Sequence, residues 1–164
     1  LGVINILGYT KPGMTLAKNA NKPIWTDLHD YDGRNPHHQP FIESASVIFL
    51  SSDNLPDYRG FMERMIGDGK ELVVCTHGSD GATLLSRDGQ WVEQPAFQVR
   101  QVQDTNGAGD AFFSGFLCGY LRGENLQTCL RLGAACGALC VSSRSLAAEN
   151  LSLQQLHDHL RDGS

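Results

Sequence analysis

Four short runs of apolar residues, 3–7, 24–28, 47–50 and 72–75, punctuate the first half of the chain, and stretches with helical spacing at 15–20 and 58–66 lie between them. Continuous apolar runs of this length suit strands buried on both faces, and their alternation with helices predicts a parallel sheet. The expected fold class is therefore α/β, a Rossmann-like, mostly parallel sheet with helices on both faces. Leu84-Leu85-Ser86, Arg87-Asp88-Gly89-Gln90 and Trp91-Val92 then read as a β-hairpin. Asp-Gly supplies the positive φ angles of a tight turn there, so the sheet is expected to gain an antiparallel margin.

An extended run over 97–102 leads into three predicted helices. The first, over 111–121, places Phe112, Phe113, Phe116, Leu117, Tyr120 and Leu121 along one broad face, with Gly123 as its C-terminal cap. The second opens at Asn125 and contains Gly133-Ala134-Ala135-Cys136-Gly137-Ala138, small enough for close approach of a helix or a flat ligand. Tight helix packing is the preferred reading. The last opens on the capping-box pattern Ser152-Leu153-Gln154-Gln155 and ends in the polar tail 161–164. Residues 30–40 form a polar loop at the carboxyl edge of the sheet, where His37 and His38 read as solvated. His29 and His77 read as hydrogen-bonded residues at strand ends, without a functional role.

Composition narrows the classes. The chain has 164 residues, 41% of them hydrophobic, enough for one ordinary core. Its formal net charge is -5 and its basic residues are scattered, so no nucleic-acid or anionic-membrane partner is expected. No apolar run approaches a membrane span, which together reads as a soluble, cytoplasmic protein. Cys75, Cys118, Cys129, Cys136 and Cys140 sit in apolar segments without a C-x-x-C pair, as buried reduced thiols of a reducing compartment do. Because Leu1 opens almost directly on a strand-like run, residues 1–164 are expected to be part of a longer protein.

The chemistry concentrates in Asp104-Thr105-Asn106-Gly107-Ala108-Gly109-Asp110, which runs straight into the 111–121 helix. Two glycines around an alanine let the backbone turn closely and point N–H groups one way, and the helix behind adds the positive end of its dipole. Such a turn is an anion cradle suited to phosphate. A carboxylate at Asp110 fits beside a bound anion if it takes the proton of a hydroxyl attacking that anion, so cradle and base together point to phosphoryl transfer. The chain has no G-x-x-x-x-G-K-[ST] loop, which removes the commonest alternative phosphate site.

The run from Asp104 to Asp110, followed by Ala111-Phe112-Phe113-Ser114-Gly115-Phe116, resembles the D-T-x-G-A-G-D signature of the ribokinase-like (PfkB) carbohydrate kinases. Thr76-His77-Gly78-Ser79-Asp80-Gly81-Ala82 is similar to that family's T-x-G-x-x-G-A nucleotide loop, in the matching order and spacing. The resemblance covers essentially the whole chain but only the carboxyl-terminal, nucleotide-binding half of the family's domain. It implies ATP-dependent phosphoryl transfer to a hydroxyl of a small sugar or related substrate. Asp110 is then the general base, Asn106, Gly107, Ala108 and Gly109 the anion hole, and Thr76, Gly78 and Gly81 the ATP-binding residues, with the small residues after Leu132 near the adenine. Asp104 and Thr105 shape the loop or help hold a monovalent cation, and Mg²⁺ arrives with ATP.

The resemblance has departures. The family's N-x-x-E position is occupied by Ser51-Ser52-Asp53-Asn54, where Asp53 is the acidic residue able to substitute in metal support. After the second of the three helices, Arg144-Ser145-Leu146 stands where Gly-Ala is common, which weakens the cation site. The amino-terminal half, carrying the sugar-binding residues and the lid through which a homodimer could pair, is absent from these residues, so the fragment alone is expected to be inactive. A catalytically impaired relative that senses nucleotide or sugar is the alternative reading.

Overall fold

The computed structural model describes residues 1–143; the helix expected from Ser152, the tail 161–164 and the Arg144-Ser145-Leu146 segment lie outside the described residues. Six strands form one sheet in the order β1 (Gly2–Val3), β2 (Ile24–Asp27), β3 (Val47–Ser51), β4 (Leu72–Thr76), β5 (Ala82–Ser86) and β6 (Trp91–Gln94). The first four run parallel, with Val47 opposite Leu72 and Phe49 opposite Val74. Val47, Ile48, Val73, Val74 and Cys75 are wholly buried, which is why β3 and β4 show no polar alternation. The β5–β6 hairpin closes, though Gly89 (φ 82°) and not Asp88 supplies the positive φ: Ser86 N–H donates to Gln90 O at 3.1 Å and the Ser86 hydroxyl donates to the Asp88 carboxylate.

The chain forms two compact units, Leu1–His77 with Thr83–Trp91, and Gly78–Ala82 with the described residues from Val92 on. The first contains α1 (Lys11–Asn19), α2 (Gln39–Ser44) and α3 (Tyr58–Gly67), around a core that includes Met14, Ile24, Phe41, Ile48, Phe61, Met62 and Val73. The second contains α4 (Ala108–Leu121) and α5 (Leu126–Val141).

Several expectations are corrected. The first strand ends at Val3, not Leu7, because Thr10 Oγ1 donates to the carbonyls of Asn5 (2.5 Å) and Leu7 (2.7 Å) and turns the chain into α1. Val3 and Leu7 are 52% and 43% exposed, so this edge run is not buried. That helix starts at Lys11 with Pro12 in its first turn, four residues before the predicted start. The supposed solvated loop 30–40 contains the 3-10 turn Pro36–His38 and the start of α2. Its His38 is buried with its ring 4.8 Å from that of Tyr31, and His37 Nε2 donates to Ile6 O at 2.6 Å. Buried Lys70 caps the end of α2, its Nζ donating to Ile42 O (2.5 Å) and Ala45 O (2.9 Å).

The face that α4 buries also differs. Phe112, Gly115, Phe116 and Gly119 form the buried stripe, while Tyr120 and Leu121 are 37% and 66% exposed. The stripe is a seam with α5: a Cβ on Gly115 would stand 2.7 Å from both Cys136 Sγ and Leu132 O, and one on Gly133 would stand 2.9 Å from Phe112 O. The small residues of 133–138 thus serve close helix packing. Both caps read from sequence are present, with Asn125 Oδ1 accepting Thr128 N–H at 2.9 Å. Gly123 N–H donates to Tyr120 O and Glu124 N–H to Gly119 O, the paired bonds of a Schellman end.

All five cysteines are free thiols, and Cys75, Cys129, Cys136 and Cys140 are buried. Burial pushes the Cys75 thiol up to about 12 and those of Cys129 and Cys136 to about 11. Since the thiolate is the nucleophile, peptide-resolved alkylation of the native protein at pH 8 should label the partly exposed Cys118 first and leave these buried thiols protected until unfolding. Early labelling of Cys75 would contradict this packing. A thiol raised in the fold also loses stability for the protein as pH climbs above the unfolded-chain value near ~8.5, because the unfolded state releases its proton first.

Candidate active site

The cradle begins with a turn made by its own side chain. Asp104 Oδ1 accepts Asn106 N–H at 2.9 Å, and Thr105 O accepts Ala108 N–H at 3.2 Å. Gly107 is the N-cap of α4 at φ 77°, a conformation with no penalty only for glycine. The first rung of the helical ladder is Ala111 N–H to Gly107 O at 2.9 Å. The N–H groups of Gly107, Gly109 and Asp110 therefore stand ahead of that ladder, at the positive end of a 14-residue helix. Of the four residues expected to offer amides, Asn106 and Ala108 bond within the turn itself, and the Asp110 N–H, one position beyond, also precedes the ladder.

Helix α4 starts three residues earlier than the periodicity predicts, and this puts Asp110 in its first turn, with an exposed side chain. Ser114 Oγ donates to Asp110 O at 2.8 Å, anchoring the main chain there. A Cβ on Gly109 would meet nothing within 4 Å. Cys140 Sγ donates to Asn106 O at 3.6 Å, and its thiol is pushed up by burial first and then by the charges of Asp104 and Asp110. Both carboxylates thus act on the same thiol.

Thr76 ends β4, its Oγ1 donating to Leu50 O at 3.4 Å while its carbonyl accepts Ser52 N–H at 3.0 Å. The loop then makes a 3-10 turn over Gly78–Asp80. Gly81, at φ 103°, leaves no room for a side chain: a Cβ would collide with Gln94 O and lie 2.8 Å from Ala96 N. Gly78 and Gly81 belong to the same compact unit as the cradle, and Thr76 to the other. Asp53 is exposed at the exit of β3, with its N–H donating to Ser51 Oγ at 3.2 Å. Asn54 Nδ2 donates to Asp30 O (3.1 Å) and to Asp30 Oδ2 (3.3 Å). Among the described residues no group of three or more His, Cys, Asp or Glu side chains could hold a metal ion. No helix among them is long and apolar enough to cross a membrane.

Residues 45–152 match the pfkB family carbohydrate kinase profile, well over half of the chain. The chain belongs to this family. It is 42% identical over 135 residues to acarbose 7(IV)-phosphotransferase of Actinoplanes sp., a match covering 79% of this chain and 45% of that relative. The solved structure of a microbiome-derived acarbose kinase superposes with a TM-score of 0.87 at 29% identity, covering 97% of this chain and 55% of that one. A Burkholderia thailandensis nucleoside kinase solved with inosine has the same fold, with a TM-score of 0.82 at 24% identity over 98% of this chain and 55% of its own. The pfkB-family chain described here spans about half the length of the relatives it matches. The mixed sheet with its helices is accordingly part of a ribokinase-like domain.

His77, read from the sequence as a hydrogen-bonded residue at a strand end, is one, and it lies inside the nucleotide-loop motif. Its Nδ1 is 2.9 Å from Ser52 Oγ and its Nε2 2.9 Å from Thr83 Oγ1, two partners from the exit of β3 and the start of β5 that become neighbours of His77 only through the sheet order. A cavity of about 410 Å³ in the first unit, walled by Tyr31, Glu43, Arg64, Asp68 and Lys70, contains none of the candidate site residues.

Proposed function

We propose that these residues are the nucleotide-binding, carboxyl-terminal half of an ATP-dependent kinase that phosphorylates a hydroxyl of a small sugar or related substrate. The observation that carries this reading is the first turn of α4, where the N–H groups of Gly107, Gly109 and Asp110 precede the helical ladder beside an exposed carboxylate. In the reaction, the acceptor hydroxyl gives its proton to the Asp110 carboxylate as its oxygen bonds to the γ-phosphorus, and ADP departs with the bridging oxygen. Charge on the transferring group is met by amides already fixed in place, so no reorganisation is needed at the moment of transfer.

Thr76, Gly78 and Gly81 are read as lining the ATP site. The Asp104 bond to Asn106 N–H supports the loop-shaping part of the role assigned to Asp104 and Thr105, with a monovalent cation as the other part. Mg²⁺ bound with ATP would neutralise phosphate charge. A hard cation that keeps its waters suits a site with no protein cage, and Asp53 is read as the carboxylate that could support it through water.

One observation favours the sensor reading: at the Ser51 to Asn54 position the side chain of Asn54 is committed to Asp30. Measuring ADP release by the full chain across a panel of sugars and nucleosides, acarbose among them, separates the two. Release with at least one acceptor is expected, and the 164-residue segment alone should give none. Ligand binding by the full chain without ADP release from any acceptor would favour the sensor.

A further inference from the structure

The geometry points to His77 as a positioning residue that clasps the nucleotide loop at its base and thereby sets affinity for ATP. This rests on the reading of the Thr76 to Gly81 loop as the ATP-binding loop.

The loop leaves β4 after Thr76 and re-enters the sheet at β5, and Gly78, Ser79 and Asp80 at its crown are exposed. Residues 77 and 83 are the last before and the first after the segment Gly78–Ala82. The 2.9 Å contact between His77 Nε2 and Thr83 Oγ1 joins these two positions directly, closing the segment with a side-chain bond at its neck. The opposite ring nitrogen, Nδ1, reaches Ser52 Oγ at 2.9 Å, just past the end of β3. One imidazole therefore ties the exits of β3 and β4 to the entry of β5. Both close partners are hydroxyls that donate or accept, so either neutral tautomer satisfies both nitrogens, and the Cys75 thiol lies farther off, 4.0 Å from Nδ1.

Packing holds the ring in that plane. The Tyr58 ring lies 4.5 Å from it, centroid to centroid, and Arg59 stands over both Tyr58 (5.7 Å) and Trp91 (4.7 Å). Thr83 is buried, so its hydroxyl has little access to water as a substitute partner. The crown carries no side chain larger than Asp80, and Gly78 is in the left-handed region at φ 56°. Without a fixed neck, such a segment samples many conformations, and the nucleotide would bear the cost of ordering it.

The test uses the full chain, with His77→Leu, Thr83→Val and His77→Gln. His77→Leu is expected to raise KM for ATP about tenfold, leave KM for the acceptor within about twofold, and speed hydrogen exchange of the amides at 78–81. Thr83→Val, which removes one hydroxyl at nearly constant volume, should move the same readouts by about threefold and decides the matter if His77→Leu does not fold. His77→Gln reaches toward Thr83 on a similar stem and should recover part of the ATP KM. Unchanged exchange at 78–81, faster exchange without a change in ATP KM, or equal rises in both KM values would each overturn the clasp while leaving the kinase reading intact. Failure of the unmutated chain to bind ATP would overturn the kinase reading itself, before any variant is measured.

Discussion

Replacing Asp110 by Asn in the full chain should lower kcat by about 10²- to 10⁴-fold while ATP affinity stays within about twofold. The amide is nearly isosteric with the carboxylate and keeps the main chain, including the Ser114 Oγ bond to Asp110 O, but it cannot take a proton. Folding should be little affected, since an exposed carboxylate in a helix's first turn contributes only about 0.3–1 kcal/mol through the dipole. The amides of Gly107 and Gly109 remain, so the anion is still held. ADP release reads the first effect and calorimetric titration with ATP the second. Turnover retained within tenfold would sink the assignment of Asp110 as base, and a matching loss of ATP affinity would recast it as a binding residue.

The parts of this fold that were legible in the sequence are those set by local chemistry. Strands β2, β3 and β4 are apolar runs buried on both faces, and α3 starts at the predicted Tyr58, where Asp57 accepts Gly60 N–H at 3.2 Å. The Asp104 turn and the helix-start position of Asp110 were legible for the same reason, because a short acidic side chain, glycines and a helix make that geometry within seven residues. Two of the misreadings come from contacts distant along the chain. Pro36 and Pro40 read as loop residues, yet Pro36 opens a 3-10 turn and Pro40 sits in the first turn of α2, whose end is held by Lys70, 28 residues after Ile42. Side-chain size assigns the α4 face to its large residues, whereas the buried stripe alternates Phe112 and Phe116 with Gly115 and Gly119, which pack against α5. The amides of Asn106 and Ala108 were counted toward the anion because the sequence does not reveal which N–H groups the turn consumes.

That seam gives the largest expected structural effect. Gly115→Ala should destabilise the full chain by up to about 2 kcal/mol, and Gly115→Val by more than that. Two effects compete. Alanine gains about 1 kcal/mol over glycine in helix propensity, but overpacking a tight contact costs about 1–3. The clash wins here because one of the two atoms 2.7 Å from the new Cβ is the Leu132 carbonyl oxygen, part of the α5 backbone, which cannot rotate away as a side chain would. Relief requires the two helices to separate. Since α4 carries Gly107 at its cap and Asp110 in its first turn, separation also moves the amides and the carboxylate, and sub-ångström errors in such positions are costly to turnover. Urea midpoints, read beside Gly67→Ala, should show this: a Cβ at Gly67 meets nothing within 4 Å, so that change should be neutral or slightly stabilising. Equal midpoints for the two alanine variants would mean that α4 and α5 are not in close contact at Gly115. Lost turnover in Gly115→Ala at a temperature where it is still folded would tie that contact to the placement of the site.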